Sequence, residues 1–131
     1  MNKKGFTLIE LIATIAILAV IALISFVSIT KVLEKSRIDN CNILVENIKT
    51  SAEEYVSDNR YDSAFVSNVK VDNDGKNIVI ITAADLNLKG DIINPISNET
   101  ITKSTIKIEI TLNKDYTAKS VSVSGISCNV K

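Results

Sequence analysis

Apolar positions fall along this chain in three regimes. From Leu11 to Ile29 no residue is charged, and Thr14, Ser25 and Ser28 are the only polar side chains. A helix can satisfy such hydroxyls on its own carbonyls. Nineteen residues at about 1.5 Å rise cover roughly 28 Å, close to the ~30 Å hydrocarbon core of a bilayer. The stretch predicts a membrane-spanning helix. In the second regime Ile38, Cys41, Val45, Ile48, Ala52 and Tyr55 recur at alternating spacings of three and four. They form one apolar stripe, with Glu34, Lys35, Arg37, Asp39, Glu46, Lys49 and Glu53 off it. No Pro or Gly interrupts the chain from Phe6 to Asn59. One helix from about Thr7 to Asp58 is therefore expected, apolar all round in its first half and amphipathic in its second. With only about three heptads present, the stripe favours packing on a downstream sheet over a coiled coil.

The third regime has period two. Ile106, Ile108, Ile110 and Leu112 alternate with Lys107, Glu109 and Thr111, the pattern of a strand with one buried face. Ile78–Ile81 is a shorter strand after the turn signal Asp72-Asn73-Asp74-Gly75. Asn113-Lys114-Asp115 turns the chain into Val121 and Val123. Past Gly125 the alternation slips to Ile126, Cys128 and Val130, which predicts a bulge and a continuing strand. Thr82-Ala83-Ala84-Asp85 has the form of a capping box, predicting a helix of one or two turns to about Lys89, ended by Gly90. The expected fold class is α+β, a long N-terminal transmembrane-plus-amphipathic helix packed on a small antiparallel sheet. The expected division is an apolar, membrane-spanning half-helix through residue 30 and a head over 31–131. The head includes the amphipathic half-helix 31–58 and a sheet over about 66–131.

Composition narrows the function. The 131 residues carry 15 basic and 15 acidic side chains, with no His and no Trp. The absence of a basic excess gives no electrostatic footprint for nucleic acid, and no nucleic-acid partner is expected. Without His, and with carboxylates scattered over turns and a solvated helix face, no catalytic constellation assembles and no enzyme is expected. No Gly-rich phosphate loop is present, so no cofactor is expected. Two cysteines without His cannot fill a four-ligand zinc site. Asp72-Asn73-Asp74-Gly75 lacks the spacing of an EF-hand, and a hairpin turn is the simpler reading. Asn98-Glu99-Thr100 matches the glycosylation sequon, a pattern that recurs by chance.

The residues before the apolar run carry more. Lys3 and Lys4 form a cationic flank that stays in the cytoplasm. Gly5 leaves a bond without side-chain cover. Glu10 is a carboxylate at the edge of a hydrocarbon-spanning helix, where charge is costly and usually functional. A secretory signal peptide would place a small-x-small cleavage site after the apolar run; the chain instead continues into the helix-forming Lys31-Val32-Leu33-Glu34-Lys35. A plain uncleaved anchor explains the apolar run but leaves Gly5-Phe6 and Glu10 without a purpose.

Lys3-Lys4-Gly5-Phe6-Thr7-Leu8-Ile9-Glu10, with the apolar run behind it, resembles the processing signal of type IV prepilins and pseudopilins. The close match covers Lys3 to about Leu18. Ser51-Ala52-Glu53-Glu54-Tyr55 with Asp58-Asn59, and Asp85-Leu86 through Gly90 to Pro95, are weaker echoes of the same family. A Pro common in the family at the position of Val27 is missing. The resemblance implies a helix packed on a β-sheet head. It also implies that a prepilin peptidase cuts between Gly5 and Phe6 and N-methylates Phe6, making 1–5 a cleaved leader and 6–30 the membrane and assembly half-helix. Loss of Lys3 and Lys4 then lowers the basic count from 15 to 13 against 15 acids, a side-chain charge of −2. In a packed bundle, Glu10 would meet the Phe6 ammonium of a neighbouring subunit and set the register. The partners so implied are other copies or other pilins in a filament, the peptidase, a membrane assembly platform with its ATPase, and the bilayer before assembly. The location implied is the inner membrane, then a surface pilus or an envelope-spanning fibre. Three functions stay open: a pilin for adhesion, motility or aggregation; a pseudopilin for protein secretion or DNA uptake; and a monomeric anchored domain that binds a partner.

Cys41 lies on the helix stripe and Cys128 on the face of Ile126 and Val130, both beyond the membrane, where disulfides persist. They form either a candidate disulfide, which would tie the C-terminal segment to the helix, or two buried apolar thiols.

Overall fold

The computed structural model describes Gly5 and residues 7–129. Helix α1 runs over Leu8–Asn59 and is followed by a short α2, Ser63–Ser67. The strands are β1 Lys70–Val71, β2 Asn77–Thr82, β3 Ile92–Ile93, β4 Thr100–Ile101, β5 Lys107–Leu112 and β6 Ala118–Ser124. A 3-10 turn at Lys103–Thr105 precedes β5. The chain divides into two compact units between Ser36 and Arg37.

Within the first unit, α1 carries its apolar residues on every side. Leu8, Ile9, Leu11, Ile12, Ile15, Ile17 and Leu18 are all exposed, as are Val20 to Ile29 wherever the side chain is large. Among the described residues this is the one helix long and apolar enough to cross a membrane. Thr14, Ser28 and Thr30 fold their hydroxyls back on the helix. Thr14 Oγ1 donates to the Glu10 carbonyl at 2.7 Å, and Ser28 Oγ to that of Ile24 at 3.3 Å. These hydroxyls are therefore satisfied by the helix's own carbonyls.

The second unit is an α+β head. Cys41, Ile48, Ala52 and Val56 of α1 are buried, with Leu44 and Tyr55 half-buried beside them. Ile48, Ala52 and Val56, with Leu44 and Tyr55, meet Val79 and Ile81 of β2 and Ile108, Ile110 and Leu112 of β5 in one core. The buried line is rotated slightly from the expected stripe, because Val56 is fully buried and Val45 is not. The main sheet is antiparallel in the order β1-β2-β5-β6, and β3 pairs with β4 in a separate two-stranded sheet. Strand β5 sits centrally, with Ile110 opposite Val79 on one side and Val121 on the other. Alternation puts Ile108, Ile110 and Leu112 inward and Lys107 and Glu109 outward.

Three local expectations need revision. Thr82–Asp85 forms a turn, not a helix. Asp85 Oδ2 accepts from the Thr82 N–H at 2.9 Å, but the following N–H groups close only turn bonds, Asp85 to Thr82 and Leu86 to Ala83. The bulge lies at Thr111/Leu112 opposite Ala118 and not at Gly125. Residues 126–129 make no strand: β6 ends at Ser124, and Gly125 bends the chain at φ 98°. A Cβ at Gly125 would stand 2.7 Å from the Thr105 carbonyl oxygen, so the close crossing there requires glycine. Val130 lies outside the described residues. The turn at Asp72–Gly75 does form, with the Gly75 N–H donating to the Asp72 carbonyl at 2.8 Å.

Candidate processing and assembly site

The N-terminal site is built on the first turn of α1. Gly5 is exposed and left-handed at φ 75°, with open space where a Cβ would stand. Glycine adopts that backbone without steric cost. Lys3, Lys4 and Phe6, the expected leader charges and new N-terminus, lie outside the described residues.

Thr7 and Glu10 form a reciprocal cap. The Thr7 N–H donates to Glu10 Oε2 at 3.0 Å, and the Glu10 N–H donates to Thr7 Oγ1 at 3.4 Å. The Leu11 N–H then closes the first helical bond to the Thr7 carbonyl at 3.1 Å. Two amides that a helix leaves unpaired are thereby satisfied by side chains. The carboxylate also stands at the positive end of the helix dipole, where negative charge is favoured. The Thr-x-x-Glu spacing gives Glu10 this local capping role, which sequence reasoning missed. The arrangement presents a carboxylate one turn from the helix start, exposed and able to receive a cationic group.

The cysteines belong to the head. Cys41 and Cys128 are bridged, with 5.5 Å between their Cα atoms and a sequence separation of 87. No free cysteine is present among the described residues. The bridge holds the segment after β6 against α1, and a second tether helps. Asn94 Nδ2 donates to the Ser127 carbonyl at 3.3 Å. Asp115, in the β5–β6 turn, has its carboxyl held below the usual range. Thr117 is the cause, first through its Oγ1, which donates to Asp115 Oδ1 at 2.6 Å, then through its N–H at 3.2 Å. This turn is distant in sequence from the processing site and takes no part in it.

Comparison with known proteins bears on the N-terminus. Residues 1–26 match the family model of the prokaryotic N-terminal methylation motif. No curated protein and no solved structure was found to match the chain. The matched segment contains Gly5, the Thr7–Glu10 cap and most of the exposed apolar half of α1. It is the prepilin signature, which implies processing by a prepilin peptidase and assembly into filaments. It points to a structural subunit and not to an enzyme. An apolar helix starting at Leu8 and a head with an antiparallel sheet complete a pilin-like arrangement. The chain thus carries the prepilin signature at its N-terminus, and that motif supports a protein of the type IV pilin or pseudopilin class.

Proposed function

We propose that this chain is a structural subunit of a type IV pilus, cut by prepilin peptidase and polymerised through α1 for adhesion, motility or aggregation. The observation that carries the reading is the methylation motif over residues 1–26 on a helix whose large apolar side chains are exposed all round. Such a surface needs lipid or other copies of itself. In this reading residues 1–5 are the leader, 6–30 the membrane and assembly half-helix, and 31–131 the head. Lys3 and Lys4 hold the uncut chain at the cytoplasmic face. Cleavage between Gly5 and Phe6 frees an ammonium on Phe6, which is then methylated. The Glu10 carboxylate of one subunit receives the Phe6 ammonium of the next and sets the register, because a buried unpaired charge is heavily penalised. The capping bonds of Glu10 do not compete with this, since a carboxylate has lone pairs for several donors. A pseudopilin of a secretion or DNA-uptake fibre is the second reading, and the motif suits both.

Fractionation separates them. Abundant processed chain in filaments sheared from cells supports a surface pilus, whereas processed chain confined to membranes supports a pseudopilin. Glu10→Ala should still be cleaved but should drop out of filaments; wild-type filament yield from that variant contradicts the register model.

A further inference from the structure

Cleavage between Gly5 and Phe6 needs that peptide bond outside the helix. A bond inside a helix has its carbonyl committed to an N–H one turn on, and neighbouring side chains crowd it. In this chain the helix stops short of the bond. The first helical bond runs from the Leu11 N–H to the Thr7 carbonyl at 3.1 Å. A helix begun earlier would place the Ile9 N–H on the Gly5 carbonyl. Among the described residues no backbone N–H reaches that carbonyl. Gly5 is also exposed. Exposed backbone free of hydrogen bonds is where chains are cut.

Two features hold the boundary in place. Gly5 stands at φ 75°, the hand opposite to that of the helix. The cap is the other. A ladder carried back to Lys3 would need the Thr7 N–H for the Lys3 carbonyl and the Glu10 N–H for the Phe6 carbonyl. Both donors are already engaged, the Thr7 N–H with Glu10 Oε2 at 3.0 Å and the Glu10 N–H with Thr7 Oγ1 at 3.4 Å. Each half of the cap therefore competes with one bond of a longer helix. The half made by the hydroxyl depends on the residue type at position 7, because few side chains carry a capping oxygen.

We propose that Thr7 is a positioning residue for cleavage of this chain. Its hydroxyl fixes the start of α1 and so presents the Gly5–Phe6 bond to the peptidase already outside the helix. The inference rests on the processing reading above and adds a residue to it. The step is hydrolysis: the oxygen of water joins the Gly5 carbonyl carbon, the amide bond breaks, and the Phe6 nitrogen leaves with the proton. Without the hydroxyl the boundary is free to move, by fraying or by drawing Gly5 into the ladder. The peptidase must then re-form it on binding, and the loss appears in kcat/KM. Glu10→Ala leaves the hydroxyl half of the cap in place, consistent with its continued cleavage.

The test uses the full chain in detergent micelles, wild type mixed with an equal amount of one variant. Membranes carrying a prepilin peptidase cut the mixture, and mass spectrometry of the two products beginning at Phe6 gives the ratio of kcat/KM. Thr7→Val keeps the shape of the side chain and loses the hydroxyl; its kcat/KM should fall about fivefold, the worth of a typical cap. Thr7→Ser and Thr7→Asn keep a capping oxygen and should stay within about twofold of wild type. Amide exchange at Glu10, measured without peptidase, should rank the variants in the same order. Thr7→Val cut as fast as wild type overturns the proposal. Thr7→Ser and Thr7→Asn cut as slowly as Thr7→Val also overturn it, because the peptidase would then be reading the threonine itself. Both results leave the processing reading standing. A wild-type chain left uncut overturns that reading and the proposal with it.

Discussion

The two halves of α1 solve opposite problems with the same backbone. Before Ser36 the helix shows large apolar side chains in every direction, from Leu8 at 74% exposure to Ile29 at 55%. After Arg37 it shows one apolar line, and Cys41, Ile48, Ala52 and Val56 are almost fully buried within the same chain. The second half is therefore stabilised by its own sheet, while the first half must find lipid or other subunits. Apolar content alone does not say where a helix is satisfied. Its distribution around the axis does.

The contrast is sharpest under truncation. Ile110→Ala, at the centre of the head core, should cost about 2–5 kcal/mol of head stability. Ile17→Ala, equally apolar but exposed, should change it by less than about 0.5 kcal/mol. Denaturant unfolding of the full chain in micelles, followed by the Tyr signals of the head, measures both. Equal losses would dissolve the distinction between the halves.

The bridge comes next. Cys41→Ser with Cys128→Ser removes a link that closes a long loop, and should lower head stability by about 2–4 kcal/mol. Reduction of the wild-type chain should reproduce that loss, and amides of residues 126–129 should exchange faster in both cases. A head whose unfolding midpoint ignores reductant would show that packing alone holds the segment.

A smaller effect marks the start of the other half. Thr7→Ala should cost the first turn of α1 about 1 kcal/mol, close to a fivefold rise in amide exchange at Glu10, while leaving the head untouched. Amide exchange by NMR in micelles reads both regions at once. Least of all is the effect at Asp115. Its carboxyl titrates below its ordinary value of 3.8. A depressed folded pKa gives a contribution that is present above the unfolded value and lost as pH falls through the folded one. Thr117→Val should move the Asp115 titration back up towards 3.8 and narrow that acid-side contribution. A carbon-detected pH titration checks it.

Much of this was legible in the sequence, for physical reasons that differ by element. Strand β5 is written in strict alternation, because one face of it is the core. The membrane half of α1 is written in the absence of charge from Leu11 to Ile29. What escaped is short or depends on distant contacts. Helix α2 spans only Ser63–Ser67, too few residues to show a period. It is made by the Asp62 side chain capping the Ala64 N–H at 2.8 Å and by burial of Phe65. Ile126 and Cys128 alternate like a strand, yet what holds that segment is a disulfide and the Asn94 contact, with no ladder beside it. At the candidate site, Glu10 was legible as a residue out of place in an apolar helix. Its bond to the Thr7 N–H was equally available from the spacing, but two roles for one carboxylate are easily read as one.

The central claim is that the chain is processed at Gly5-Phe6 and enters a filament through the exposed half of α1. Mass spectrometry of the chain from sheared filaments tests it most directly. The account predicts an N-terminal peptide that begins at N-methylated Phe6. A chain that still begins at Met1 would contradict it and leave a simple membrane anchor.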